Sequence, residues 1–279
     1  MIKEAIIEKR VLFSYDLVKF EDLLFHNINK TNVLVIGGAG TIGSSYIKQI
    51  LKFKPKKITV VDINENGLTE LTRDLRSSNL LDYNPEYITY PVNLLSDTFD
   101  KIFNSQSWQV VSNFSAHKHV RSEKDKISVE ALIKNNVYGA IKLLNLCEAS
   151  PPKYFFSVST DKAANPVNIM GASKSLMEKL ILSKKQKFRV STARFANVAF
   201  SNGSLLDGFI YRLQKQQPLS CPSDIKRFFV TPEQSGQICL LATFLGDTGN
   251  IFFPKLDFHK DQIYFKDIAL DFLKDNGFE

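Results

Sequence analysis

Val33-Leu34-Val35-Ile36-Gly37-Gly38-Ala39-Gly40-Thr41-Ile42-Gly43 is an apolar run that breaks into glycines and then opens a helical stretch. The apolar residues suit a buried strand of a parallel sheet. Gly38, Gly40 and Gly43 satisfy G-x-G-x-x-G, whose glycines allow a tight turn, a close backbone approach to a pyrophosphate and close packing of helix on strand. Gly37 adds a G-x-x-G-x-x-G reading of the same residues. The helix that opens with Thr41, Ile42 and Gly43 would direct its first amides at the phosphates. A second apolar run, Ile58-Thr59-Val60-Val61, ends in Asp62, at the distance where a carboxylate meets a ribose 2′-hydroxyl. A carboxylate accepts from a free hydroxyl and repels a 2′-phosphate, so the expected cofactor is NAD rather than NADP. The plainer readings are a glycine turn and an Asp that caps the next helix.

The alternation continues outward from this unit. Strands are expected at 33–36, 58–62, 87–91, 109–113, 154–158 and 190–195, with helices at 41–52, 65–77, 128–149 and 169–184. The pattern predicts an α/β fold, a doubly wound parallel (Rossmann) sheet, over residues 31–197. Ser150-Pro151-Pro152 stops the long fourth helix. Residues 1–30 form an N-terminal helical segment whose apolar residues, among them Ile6, Ile7, Leu17, Phe20 and Leu24, have amphipathic spacing. It would cover a sheet edge, pair with a second subunit, or be the stub of an upstream region. Residues 198–279 are expected to form a smaller, irregular substrate lobe, with 231–248 returning to the first domain.

Composition narrows the functional classes. The chain has 279 residues and a formal charge of +7, carried in short lysine runs such as Lys54–Lys57 and Lys184–Lys187, with no basic stripe interleaved with aromatics. Nucleic-acid binding is therefore not expected. The apolar stretches are too short to span a membrane and the N-terminus has no signal pattern, so a cytoplasmic protein is expected. Cys147, Cys221 and Cys239 are scattered without metal-ligand spacing, which favours reduced thiols and no metal site.

The fifth strand runs into Ser159-Thr160-Asp161-Lys162, at the sheet edge where parallel sheets bind ligands. An adjacent acid and amine suit proton transfer: a carboxyl can protonate a leaving hydroxyl, and an amine with a lowered pKa can take a carbon-bound proton. A salt-bridged turn is the alternative. On the next helix Met170 and Lys174 share a face.

These residues together resemble the extended short-chain dehydrogenase/reductase superfamily, in which a Tyr-x-x-x-Lys pair commonly serves catalysis; here Met170 holds the tyrosine position. Ser159–Ala163 with Asn165-Pro166, Asn168–Lys174, Ala116-His117-Lys118-His119-Val120, Arg194–Val198, Ser201–Ser204 and Arg227–Glu233 look like the polysaccharide-biosynthesis branch of bacterial UDP-N-acetylglucosamine 4,6-dehydratases, over roughly residues 31–270. The resemblance implies a nucleotide-diphosphate sugar substrate, a retained NAD and a homo-oligomer. NAD would remove hydride from C4, Lys162 would take the C5 proton, Asp161 would protonate the departing 6-hydroxyl, and hydride would return to C6. A thioether cannot take the 4-hydroxyl proton, which leaves Thr160, coupled to Lys174, as the candidate.

On this resemblance the catalytic residues are Thr160, Asp161, Lys162 and Lys174. Cofactor contacts are expected from Gly37, Gly38, Gly40, Thr41, Ile42, Gly43, Asp62, Asn93, Ser115, Ala116, Lys118 and Lys174, and substrate contacts from His119, Met170, Asn197, Ser204 and Arg227. Arg227 is assigned to the diphosphate because a guanidinium holds two phosphate oxygens at once. Arg194 is open to a structural role, His117 or His119 to a core role, and Asn136 to either support of the site or a surface position. Asn93 stands where relatives often have Asp near the adenine. Members usually extend beyond the equivalent of Gly277-Phe278-Glu279, so the substrate lobe is expected to be incomplete or closed by a partner subunit. A 4-epimerase, a ketoreductase or a non-catalytic NAD-binding scaffold on the same fold are the competing readings.

Overall fold

The computed structural model describes residues 12–119, 123–183 and 187–278. The expectations for Ile6 and Ile7, for Val120 and for Lys184 lie outside them. In chain order the described elements are α1 (Ser14–Lys19), α2 (Glu21–Ile28), β1 (Asn32–Ile36), α3 (Thr41–Leu51), β2 (Lys57–Asp62), α4 (Glu65–Ser77), β3 (Glu86–Pro91), α5 (Asp97–Asn104), β4 (Val110–Asn113), α6 (Lys126–Ile133), a π-helical turn (Lys134–Tyr138) and α7 (Gly139–Ala149). Then follow β5 (Tyr154–Val158), a 3₁₀ turn (Asp161–Ala163), α8 (Ile169–Ser183), β6 (Arg189–Ala193), β7 (Asn197–Val198), α9 (Leu205–Gln214), β8 (Lys226–Val230), α10 (Pro232–Leu245), β9 (Asn250–Phe252), β10 (Gln262–Tyr264) and α11 (Phe265–Asp275).

Seven parallel strands form the main sheet in the order β3-β2-β1-β4-β5-β6-β9. The strand order reverses between β1 and β4, and the carboxyl ends of β1, β4 and β5 open the crevice used by ligands in this class of sheet. β1 shows why its sequence is apolar throughout. Val33 and Val35 pack in one layer with Tyr46, Ile47 and Leu240, while Leu34 and Ile36 pack in the other with Phe99, Phe103 and Leu143. Both faces of the strand are covered, so period-2 alternation has no polar side to show.

The N-terminal helices pack against this same chain. Leu24 and Ile28 are fully buried in the first layer, and Asn27 Oδ1 accepts from Lys153 Nζ (2.8 Å) and Tyr154 Oη (2.7 Å) at the amino end of β5. The segment therefore seats below the strands, away from the crevice, rather than along a sheet edge.

Several expectations change. The helix expected at 128–149 is α6, a π turn and α7, because the wider turn rotates Asn135 and Asn136 inward together. α5 was not expected, although Ser96 caps it and Phe99, Ile102 and Phe103 have helical spacing. The region after 197 is regular: β7, β8 and β10 form a second sheet beside α9 and α11, around the buried Phe209, Phe229 and Phe272. α10 escaped the pattern because it is buried on every side from Gln234 to Phe244, packing on α3, β5 and β6, and so lacks a polar stripe. The expected sixth strand, 190–195, ends at Ala193, where the chain turns and the Arg194 amide donates to Phe252 O (2.7 Å).

Candidate functional site

The glycine turn after β1 is built by close approach. Gly37 has φ +74°, and a side chain there would meet the Ser115 amide at 2.5 Å; a side chain at Gly43 would collide with the Gly37 carbonyl. Close approach to the backbone thus requires glycine at Gly37 and Gly43, whereas a side chain at Gly40 would meet the Gly37 carbonyl only at 3.5 Å. Gly38, expected as a cofactor contact, instead packs against Val60 of β2, away from the crevice. No side chain caps α3, which leaves its first amides available to an anion.

Two cavities meet at this turn. The smaller, about 260 Å³, is lined by Asp62, Asn93, Ser115, Ala116, His117 and Asn135. The Asp62 carboxylate accepts from the amides of Ala39 and Asn64, each at 2.9 Å. A carboxylate has about four acceptor positions, so two remain for a ribose diol. Asn93 Oδ1 accepts from the Leu95 amide (2.8 Å), which commits that side-chain oxygen to its own turn. Asn136 is buried and clamps the His117 backbone, accepting from its amide (2.8 Å) and donating to its carbonyl (3.0 Å), and it also donates to Ser173 Oγ (3.0 Å). That clamp gives Asn136 an internal position and not a surface one.

The larger cavity, about 640 Å³, runs from Gly37, Gly40, Thr41, Ile42 and Gly43 to the second sheet, and Ala116, Lys118, His119, Thr160, Lys162, Met170, Lys174, Asn197 and Ser204 all line it. β5 delivers Thr160 and α8 delivers Met170 and Lys174 from one face. Thr160 Oγ1 donates to Asp161 Oδ1 (2.9 Å), and Lys162 Nζ donates to the same oxygen (3.0 Å). The pair is an ion pair open to solvent, with the Lys162 and Asp161 side chains 41% and 49% exposed. Lys174 is buried and donates to Val158 O (3.0 Å); burial pushes its ammonium down to about 8, against the opposing pull of Glu178. Lys118 is also held below the ordinary lysine range, chiefly because protein surrounds it, with Asp207 pulling the other way.

A loop joins the two cavities. The Asn202 amide donates to Thr41 Oγ1 (3.0 Å), His119 lies over Gly203, and Ser204 Oγ accepts from the Asp207 amide (3.1 Å), so residues 201–204 cross the crevice above the glycine turn. The positive φ of Phe200 and Gly203 was not legible in the motif. Besides Gly38, two expected residues line neither cavity: Asp161, which reaches them only through its bonds to Thr160 and Lys162, and Arg227, which is exposed and whose Nη1 donates to Lys226 O (3.0 Å). Phe229, two residues along the same strand face, lines the cavity instead. Asn135 was missed; it accepts from Ser115 Oγ (3.3 Å) and needed the π turn to reach the cavity.

Lys174 yields a stability prediction whose sign follows from its burial. Its folded pKa lies below the unfolded value, so between about pH 8 and 10.5 the unfolded chain binds more protons and the wild type gains stability as pH rises. Lys174→Met lacks this gain. Its stability relative to wild type should fall by roughly 2 kcal/mol between pH 7 and pH 10, checked by urea unfolding of both proteins. A pH-independent difference would contradict the buried-amine assignment.

Residues 33–274 match the family model described as polysaccharide biosynthesis protein. An uncharacterized membrane protein of Methanocaldococcus jannaschii is 34% identical over 246 residues, covering 85% of this chain and 70% of the relative. UDP-N-acetylglucosamine 4,6-dehydratase (inverting) of Campylobacter jejuni is 29% identical over 240 residues, covering 82% and 68%. The chain spans about two fifths of the capsular polysaccharide biosynthesis protein CapD of Staphylococcus aureus, at 27% identity over 241 residues. UDP-glucose 4-epimerase of Rickettsia bellii also matches, at 27% over 241 residues. Among solved structures, Pen from Bacillus thuringiensis superposes with a TM-score of 0.76 at 25% identity, covering 89% of this chain and 75% of that one. WbmF of Bordetella bronchiseptica, solved in complex with NADH, gives 0.72 at 18%, covering 90% and 79%, which shows a common fold. No described helix is long and apolar enough to cross a membrane. With the glycine turn, the Thr160–Lys162 run and the α8 lysine now placed around one crevice, the chain belongs to the polysaccharide-biosynthesis protein family, on the extended short-chain dehydrogenase/reductase fold.

Proposed function

We propose that this protein is an NAD-dependent nucleotide-sugar 4,6-dehydratase acting on UDP-N-acetylglucosamine for surface glycan synthesis. The observation that carries this reading is that Thr160, Lys162, Met170 and Lys174 line one cavity, with Asp161 hydrogen-bonded to both Thr160 and Lys162 behind it. An ordinary reductase would place a tyrosine phenol where Met170 stands.

The residues present fit a dinucleotide: the uncapped α3 amides suit its pyrophosphate, the side-chain-free turn admits its backbone contact, and Asp62 suits an unphosphorylated ribose. When bound, NAD supplies reversible hydride storage at the sugar. The chain's own task is moving protons. In the open crevice Asp161 and Lys162 form an ion pair. A bound sugar that excludes water favours the uncharged form of the same pair, reached by passing one proton along their 3.0 Å hydrogen bond. That transfer makes Asp161 an acid and Lys162 an amine base together. Lys162 then takes the C5 proton while Asp161 protonates the leaving 6-hydroxyl, and Thr160 relays the 4-hydroxyl proton to the free amine of Lys174, whose burial favours the uncharged form that can keep it.

Substrate deuterated at C4 tests the reading. The expected product has lost one water and carries the deuterium in a new C6 methyl group, with no net NADH formed. The Rickettsia match makes 4-epimerisation the second reading, and a product of unchanged mass would establish it in place of dehydration. Stoichiometric NADH consumption would indicate a ketoreductase, and NAD binding without turnover of any nucleotide sugar a scaffold.

A further inference from the structure

Ser159 ends the approach of β5 to the crevice. Its amide donates to Ala193 O of β6 (2.9 Å), it is only 6% exposed, and it lines the larger cavity. Its Oγ is sealed from solvent without a hydrogen-bond partner. The polar groups around it are already engaged: Lys174 Nζ with Val158 O, Thr192 Oγ1 with Ser157 O (2.7 Å), and Thr160 Oγ1 with Asp161. Of the other buried side-chain atoms without hydrogen bonds among the described residues, Asp100 Oδ1 is ion-paired with Lys142, and Thr59 Oγ1, Tyr83 Oη and Gln106 Nε2 lie away from both cavities. Leaving a hydroxyl buried and unbonded is costly, so an unbonded one in the wall of a ligand crevice points to a polar group of the ligand.

The position along the crevice identifies that group. Anions belong at the α3 amides and a ribose diol at Asp62, which assigns one half of a dinucleotide to the smaller cavity. The other half then extends along the larger cavity toward the carboxyl end of β5. Its terminal ring bears a carboxamide, which both donates and accepts, as a hydroxyl does. We infer that Ser159 Oγ hydrogen-bonds the carboxamide of the nicotinamide ring and so fixes how the ring faces the sugar. This rests on the reading of the crevice as a nicotinamide dinucleotide site.

Calorimetry with NAD and with ADP-ribose, which lacks the nicotinamide, tests the inference on the full chain freed of nucleotide. Ser159→Ala should bind NAD about tenfold more weakly and ADP-ribose within about twofold of wild type, while Ser159→Thr, which keeps the hydroxyl, should retain most of the NAD affinity. Unchanged NAD binding by Ser159→Ala would overturn the assignment. An equal loss for both ligands would also overturn it, since that reports a distorted crevice. If wild type binds neither ligand, the cofactor reading itself fails and the assignment with it.

Discussion

Asp161→Asn and Lys162→Ala are each expected to lower turnover by about 10² or more while NAD remains bound, the usual effect of losing a positioned acid or base. The two side chains are coupled through one oxygen: Asp161 Oδ1 receives both Thr160 Oγ1 and Lys162 Nζ. Asn keeps the size and a carbonyl acceptor but cannot take up the proton that makes the lysine a base, so the lesion falls on chemistry rather than packing. Both side chains are about half exposed, and their ion pair contributes little to folding. The variants should therefore unfold at the wild-type urea concentration, which separates a catalytic loss from a folding loss. The double variant should be little worse than either single one, because the residues act as a unit. Single-turnover kinetics with a competent nucleotide sugar gives the comparison; either variant retaining most of its activity would remove that residue from the mechanism.

The glycine turn was legible because backbone constraints leave traces in residue type. Gly37 and Gly43 are glycines since nothing else fits beside Ser115 and the Gly37 carbonyl, and Asp62 closes an apolar strand. The placement of Thr160, Lys162, Met170 and Lys174 on one cavity also followed from strand ends and helical spacing. What failed to show was anything decided by a distant partner. Asn135 lies on a π turn that brings it to the site, and α10 is buried on all sides because α3, β5, β6 and β9 pack around it. Arg227 sits on β8, a strand the sequence did not announce, and its side chain turns back to Lys226 O instead of entering the cavity. Ser159 belonged to a quoted motif, but its significance is an unpaired oxygen, which only three-dimensional neighbours reveal.

Arg194→Ala is expected to cost about 3 kcal/mol or more of stability, the largest folding effect predicted for this chain. Arg194 follows β6 and reaches across to α8, where Nε donates to Glu178 Oε1 (2.8 Å) and Nη2 to Oε2 in a two-point fork. The Glu178 side chain is 4% exposed while that of Arg194 is 26% exposed, so removing the arginine strands a buried carboxylate. Arg194→Lys should recover only part of the loss, because an ammonium cannot reproduce the planar fork. Replacing both partners, as Arg194→Met with Glu178→Leu, should be much milder than the single change, since no charge is then left buried. The consequence reaches the site through α8: Glu178 lies one helical turn beyond Lys174, which lies one turn beyond Met170. Loosening the helix at Glu178 therefore loosens the face that lines the cavity. Urea unfolding of the four proteins decides the matter, and a loss below about 1 kcal/mol in Arg194→Ala would mean that the pair is a solvated contact of the ordinary surface kind.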